Sequence, residues 1–281
     1  MNTSKRTTVE ERDPIYFLKQ EMKIANFSVQ TIKSYLHYVQ DALAFVKKDA
    51  RSITSSDIKD YLEYLADRNL SASSLNIAYS ALQFYFTRIL RRNFFASIPR
   101  AKKDKKLPVV LTRDEILAIT KSVNNVTHKL ILAMIYGSGL RLSEVVNIRV
   151  SDLDLINNIL TVRGGKGNKD RVTIISSKVS EVLIVYIKHK TANEYLFVTN
   201  RGGKYDKRSV QNIFYKALDN SGIKKQASVH SLRHSFATHL VENGCNLRYI
   251  QELLGHKNVT TTQVYTRVAG SSLSLVKSPL D

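Results

Sequence analysis

The chain has 281 residues, one cysteine and a formal net charge of +19, with a sequence pI near 9.9. That length supports two ordinary domains or one large one without disulfides, and a lone Cys245 excludes an internal bridge and any CxxC metal or redox motif. The polar start MNTSKRTTVEERD has no apolar h-region, and nowhere do about eighteen apolar residues run together, so the reading is a cytoplasmic protein with neither signal peptide nor membrane span. The positive charge is spread through foldable sequence rather than held in a tail, which favours a polyanion. Nucleic acid is the commonest such partner, because each neutralised phosphate releases condensed counterions; a merely basic soluble protein is the alternative.

From Pro14 to about Arg92 the pattern predicts four helices. Ser28 precedes a segment in which Ile32, Tyr35, Leu36, Val39, Leu43 and Val46 recur at the spacing of one helix face, and Thr54 and Ser71 precede two more. The first hundred residues therefore read as a small all-α bundle. Pro99 and Pro108 then break the periodicity, and Arg91–Lys106 carries seven basic residues against one acidic. This linker, placed at 99–110, is either a solvated hinge or a strand laid along a phosphate backbone.

Thr112-Arg-Asp-Glu115 is a capping box that opens a new helix and a second domain over 111–270. Gly137 and Gly139 flank Ser138 and predict a tight turn before a helix carrying Arg141. The period then changes: NNILTVRG and DRVTIIS are short β-branched runs joined by GKGNK, a hairpin whose turn holds Lys166 and Lys169. Helices follow near 178–190, 207–220, 228–242 and 246–255.

In VHSLRHSFATHLVENG, at about 100° per residue, His230 and Arg233 lie within roughly 60° of each other, at the edge of the buried side of an amphipathic helix. A guanidinium beside an imidazole is an awkward pair unless an anion sits between them. His230 and His234 are also four apart, with His239 beyond, but a zinc site needs a third ligand and a hydrolytic one needs a glutamate where Ser231 stands. GGKGNK and RGGK do not fit the phosphate-binding loop of nucleotide hydrolases. Neither a metal nor a nucleotide cofactor is expected.

These fragments together resemble one family. GSGLRLSEV around Arg141, GKGNKDR with Lys166, HSLRHSFATHL with His230 and Arg233, LLGH ending at His256 and TTTQVYT ending at Tyr265 are similar, in order and spacing, to the catalytic domain of tyrosine site-specific recombinases. The resemblance implies a fold that is mainly α with a small β-hairpin or sheet: an N-terminal helical, SAM-like core-binding domain over 1–98 and a mixed α/β catalytic domain. It also implies double-stranded DNA as partner, no cofactor, and a phosphotyrosyl intermediate. The chemistry is consistent with that assignment. A phosphodiester attacked without a metal needs its developing charge neutralised, and two arginines, Arg141 and Arg233, offer forked donors to the non-bridging oxygens.

Tyr265 is by this resemblance the nucleophile, Lys166 the general acid for the departing 5′-oxygen, His230 the acid/base partner of the tyrosine, and His256 a donor to the phosphate. Glu144 orients a neighbour rather than touching substrate. Lys169 is an alternative acid in the same turn, Tyr249 is read as packing or DNA contact, and the threonine run before Tyr265 as a short connection.

The two-domain layout is most similar to the Xer group, with dimer resolution through a Holliday junction by a homotetramer on two sites, or by a hetero-tetramer with a paralogue, at the nucleoid. An integron- or transposon-type integrase, a cleavage-deficient DNA-binding regulator and a type IB topoisomerase are the other readings. In the tail 271–281, Leu273 and Val276 share a helical face, which fits either exchange with a neighbouring subunit or a frayed terminus. Exchange predicts that deleting 271–281 abolishes ordered assembly and recombination, measured by native gel and strand-exchange assay; unchanged recombination contradicts it.

Overall fold

The computed structural model describes residues 14–102, 107–164, 170–256 and 259–268. The chain divides into two compact units, 1–105 and 106–281. The hairpin turn with Lys166 and Lys169, residues 103–106 of the basic linker and the tail 271–281 lie outside the described residues. Among the described residues no helix is long and apolar enough to cross a membrane.

The first unit contains α1 (Pro14–Ile24), α2 (Val29–Val46), α3 (Ser55–Asp67) and α4 (Ala72–Phe84). The hydroxyls expected to start α2, α3 and α4 do so: Ser28, Thr54 and Ser71 each accept a hydrogen bond from the backbone N–H three residues on. Each satisfies a donor that the first helical turn leaves without a partner. α4 runs on into a π-helical turn, Tyr85–Ile89, that buries Tyr85 and Phe86. Leu18, Met22, Ile32, Val39, Ile58, Tyr61 and Leu82 pack with them into one core.

In the second unit the Thr112–Glu115 capping box opens α5 (Arg113–Lys121), with Thr112 Oγ1 accepting from Glu115 N and the Glu115 carboxylate accepting from Thr112 N. α6 (Val126–Gly137) and the four-residue α7 (Leu142–Val145) follow. The predicted hairpin is β2 (Ile159–Val162) paired antiparallel with β3 (Arg171–Ile174), in the register Leu160↔Thr173 and Val162↔Arg171. A two-residue strand, β1 (Leu153–Asp154), joins β2 to complete a three-stranded meander. It is too short to leave an alternation in the sequence.

Next come α8 (Ser177–Tyr186), α9 (Lys207–Asn220), α10 (Val229–Glu242), α11 (Leu247–Leu254) and α12 (Val259–Val268). α8 stops four residues short of the predicted end. Two expectations are corrected. α10 is not amphipathic: from Val229 to His239 every residue is buried except His230 and His234, because α6, α11 and α12 all pack against it. Arg233 is therefore inside the unit, while His230 is exposed. The threonine run is not a connection but part of α12.

The main core joins α5, α6, the sheet, α8 and α9 through residues such as Leu132, Ile135, Leu160, Leu183 and Phe214. A smaller cluster, Phe236, Ala237, Ile250, Leu254 and Tyr265, holds α11 and α12 on α10. The turn after α6 is fixed by Gly139, at φ +60°, where a Cβ would stand 2.5 Å from a Phe236 ring carbon. Gly139→Ala combines left-handed backbone strain with overpacking and is expected to destabilise the unit by at least ~2 kcal/mol, read as a fall in melting temperature. An unchanged melting temperature contradicts this.

Candidate active site

Arg141 ends the Gly139 turn and serves as N-cap residue of α7. Glu144, three residues on, accepts from Arg141 N with Oε2 at 2.7 Å and from Arg141 Nη1 with Oε1 at 2.8 Å. The same carboxylate accepts from both terminal guanidinium nitrogens of Arg171 from β3, at 2.7 and 2.9 Å, and lies 3.6 Å from Arg233 Nη1. Glu144 is only 6 % exposed. Burial alone would raise its carboxyl, but the hydrogen bonds and charge of Arg171, with those from Arg141, hold it down at about 2.

Arg233, 4 % exposed, donates to Gly139 O and, at 2.6 Å, to Leu254 O. Burial first and the Arg141 charge second push its guanidinium down to about 9, so it stays charged at neutral pH. Arg141 Nη2 reaches Gly255 O at 3.5 Å, and Arg171 Nε donates to Leu253 O at 2.8 Å. The carbonyls that end α11 thus fix three guanidiniums around one carboxylate. Gly255, at φ +61°, lets the chain turn there, with Arg171 Cδ 2.8 Å from where a Cβ would be.

His256 follows this turn. Its Nε2 faces Arg233 Nη2 at 3.3 Å and its Nδ1 faces Thr262 Oγ1 at 3.0 Å. An arginine N–H only donates, so Nε2 is the acceptor here and Nδ1–H the donor to Thr262. Thr262 is buried, and Tyr265 is one turn further along α12 on the same face. The Tyr265 ring stacks on His256 at 6.2 Å, and its hydroxyl lies 3.1 Å from His234 Nδ1. Tyr265 is 2 % exposed; burial pushes its hydroxyl up, and Arg233 and Arg141 pull it the other way. Burial and the neighbouring charges push both His234 and His256 down to about 4. His230 is also lowered, by the protein around its ring and by Arg233 and Arg141.

The structure therefore brings Arg141, Glu144, Arg233, His256 and Tyr265 together, with His230 on the turn of α10 before Arg233. Tyr249 is exposed and does not pack in the core. Two residues at the site had other readings or none in the sequence. The sequence pattern offers His234 only as a metal ligand, and among the described residues no group of three or more His, Cys, Asp or Glu could hold a metal ion. Arg171 stands in the quoted GKGNKDR, and its place at the start of a β-branched run was the available signal.

Residues 17–94 match the phage integrase N-terminal SAM-like domain, and residues 109–271 match the phage integrase family. The chain belongs to the phage integrase family and is a tyrosine recombinase. It is 37 % identical over 255 residues to the tyrosine recombinase XerA of Pyrococcus horikoshii, covering 90 % of this chain and 88 % of that one. The crystal structure of a XerA recombinase superposes with a TM-score of 0.55 at 32 % identity, over 93 % of this chain and 96 % of the other. A lambda integrase dimer bound to a COC′ core site shares the fold, with a TM-score of 0.75 at 21 % identity over 94 % and 98 % of the two chains.

The site carries a pH dependence of stability. His234 and His256 are neutral in the fold down to about pH 4, whereas in the unfolded chain they take up protons below roughly pH 6.5. The unfolded state then binds more protons, so stability is full above that value and falls as pH drops toward 4. Glu144, ionised in the fold to about pH 2, adds a further loss below roughly pH 4.5. Calorimetric melting from pH 7.5 to 4.5 should show the second unit's transition falling steadily; a flat transition contradicts it.

Proposed function

We propose that this site-specific recombinase cleaves one strand of duplex DNA through Tyr265, leaving a 3′-phosphotyrosyl bond and a free 5′-hydroxyl. The observation that carries the reading is the convergence of Arg141 and Arg233, from separate segments, on Glu144, near enough to Tyr265 for both charges to favour its ionised form. Tyr265 Oη bonds to phosphorus as the P–O5′ bond breaks, and Lys166 gives the departing oxygen its proton. Arg141 and Arg233 take the non-bridging oxygens, whose charge grows in the transition state. His256 donates to the phosphate from Nε2 once that nitrogen carries the ring proton, and His230 is the acid/base partner that takes the phenolic proton of Tyr265. Glu144 aims the guanidiniums and does not touch DNA. The phosphotyrosyl bond keeps the energy of the broken linkage, so a 5′-hydroxyl from another strand reseals it without ATP or metal.

The net charge of +19 supports duplex DNA as partner. The likeness to XerA proteins supports a Xer-like role: resolution of chromosome or plasmid dimers through a Holliday junction, by a homotetramer on two sites or a hetero-tetramer with a paralogue, in the cytoplasm at the nucleoid. Integration of a mobile element uses the same residues and differs in the pair of sites joined.

The test is a pool of nicked duplexes with randomised sequence around the nick, incubated in EDTA without ATP and run on a denaturing gel. Wild type is expected to form a covalent adduct through a 3′-phosphate, and Tyr265→Phe none. An adduct retained by Tyr265→Phe overturns the assignment. Sequencing the captured duplexes gives the site for a plasmid assay that separates resolution of direct repeats from integration.

A further inference from the structure

We infer that Thr262 is a positioning residue for this reaction: its buried hydroxyl holds the His256 ring in one orientation while the two ring nitrogens exchange donor and acceptor roles. The inference deepens the proposed function and rests on a phosphate being bound beside Arg141 and Arg233. Three threonines stand in a row before Gln263, and the structure sets one apart. Thr261 is exposed, whereas Thr262 is wholly buried. Threonine hydroxyls in helices ordinarily bond their own backbone, as Thr266 Oγ1 does to Gln263 O. Thr262 Oγ1 instead lies 3.0 Å from His256 Nδ1.

His256 is held from two sides. Its backbone N–H donates to Gln251 O at 3.1 Å and its carbonyl accepts from Gln251 Nε2 at 3.0 Å, so its main chain is tied to α11. What remains is rotation of the ring, and Thr262 fixes that from α12. With Nδ1 on Thr262, the opposite edge brings Nε2 to Arg233 Nη2 at 3.3 Å. The face of the ring lies on Tyr265 at an interplanar angle of 18°. A half-turn of the imidazole would put carbon where each nitrogen stands and lose both polar contacts.

A hydroxyl suits this place because a neutral imidazole has one proton for two nitrogens. Burial first, then the charges of Arg233 and Arg141, keep His256 neutral down to about pH 4. While Nε2 accepts from Arg233, the ring proton is on Nδ1 and Thr262 Oγ1 accepts it. Donation to a phosphate needs the proton on Nε2: Nε2 takes one from water, Nδ1 returns one to water, and the charge of the ring is unchanged. Nδ1 then presents a lone pair, and the Thr262 hydroxyl turns its own hydrogen to it. A carboxylate only accepts and an ammonium only donates, whereas a hydroxyl does either from one oxygen position. The ring therefore keeps its aim through the exchange, and the phosphate meets a donor already in place.

The experiment measures single-turnover adduct formation, over a range of concentrations of the captured nicked duplex, for wild type, Thr262→Val, Thr262→Ser, His256→Ala, Thr262→Val with His256→Ala, and Tyr265→Phe. Valine keeps the shape and removes the hydroxyl; serine keeps the hydroxyl. Thr262→Val is expected to slow the rate at saturating duplex by about tenfold, the equivalent of one lost hydrogen bond, and Thr262→Ser to stay within about threefold of wild type. With His256→Ala already present, Thr262→Val is expected to add less than about twofold, because it acts through that ring. A Thr262→Val rate within about twofold of wild type, a Thr262→Ser rate as low as that of Thr262→Val, or an undiminished loss in the absence of His256 overturns the inference. An adduct in Tyr265→Phe overturns the proposed function instead. Nitrogen-15 spectra of His256 in the wild-type protein, free and with the captured duplex, read the exchange independently of any variant's folding. A protonated Nδ1 in the free enzyme and a protonated Nε2 in the complex are expected, and the same tautomer in both states overturns the proposal.

Discussion

The second unit's chemistry depends on one buried carboxylate. Glu144 sits among Arg141, Arg171 and Arg233, and its desolvation would cost several kcal/mol if it were left unpaired. Each close guanidinium returns about 4 kcal/mol of attraction at an effective dielectric near 20. Two of those partners also bond it directly, through Arg141 N and Nη1 and both Arg171 amino groups. The charges do not balance. Three guanidiniums against one carboxylate leave an excess of two positive charges, and Arg233 is depressed by burial first and by the Arg141 charge second. A phosphodiester removes one of the two, and the doubly negative pentavalent state removes both. On the proposed function the pocket is therefore complementary to the transition state more than to the bound ground state, which is the condition for rate acceleration.

The same carboxylate explains why so short a helix exists. α7 has four residues, far fewer than an isolated helix needs. It forms because Glu144 closes back on Arg141 N as a cap while holding the Arg141 side chain. Gly139 upstream permits the turn and gives its carbonyl to Arg233. Local backbone geometry and the aim of both arginines are thus one arrangement, so a change at Glu144 alters both together.

Much of this was legible in the sequence, for reasons that differ along the chain. Ser28, Thr54, Ser71 and Thr112 could be read because capping depends on one hydroxyl and the three residues after it. β2 and β3 could be read from their β-branched runs, and the site from motifs in a fixed order. α10 was misread because its periodicity shows one apolar stripe, whereas burial depends on how many neighbours cover it, and three helices do. α12 was misread because a run of β-branched threonines has weak intrinsic helix propensity. What holds it is tertiary: Thr262 on His256, and Tyr265 on α10. Arg171 and His234 were passed over because their partners, Glu144 and Tyr265, are 27 and 31 residues away in sequence, and spacing carries no information about such pairs.

The two halves of the candidate site are anchored differently. The main core backs α7 and the sheet, and so the carboxylate and guanidiniums that await a phosphate. Tyr265 belongs to the small cluster with Phe236, Ala237, Ile250 and Leu254, and two polar contacts, from His256 and His234, add to its hold on α12. Fewer buried contacts mean a lower free energy of local opening. On the proposed function, a preorganised anion site beside a more lightly held Tyr265 suits an enzyme that forms and releases a covalent bond to DNA in turn. His256 links the two halves, with one nitrogen on Arg233 and the other on Thr262, so a change at Arg233 that frees Nε2 reaches a residue one helical turn from the Tyr265 hydroxyl.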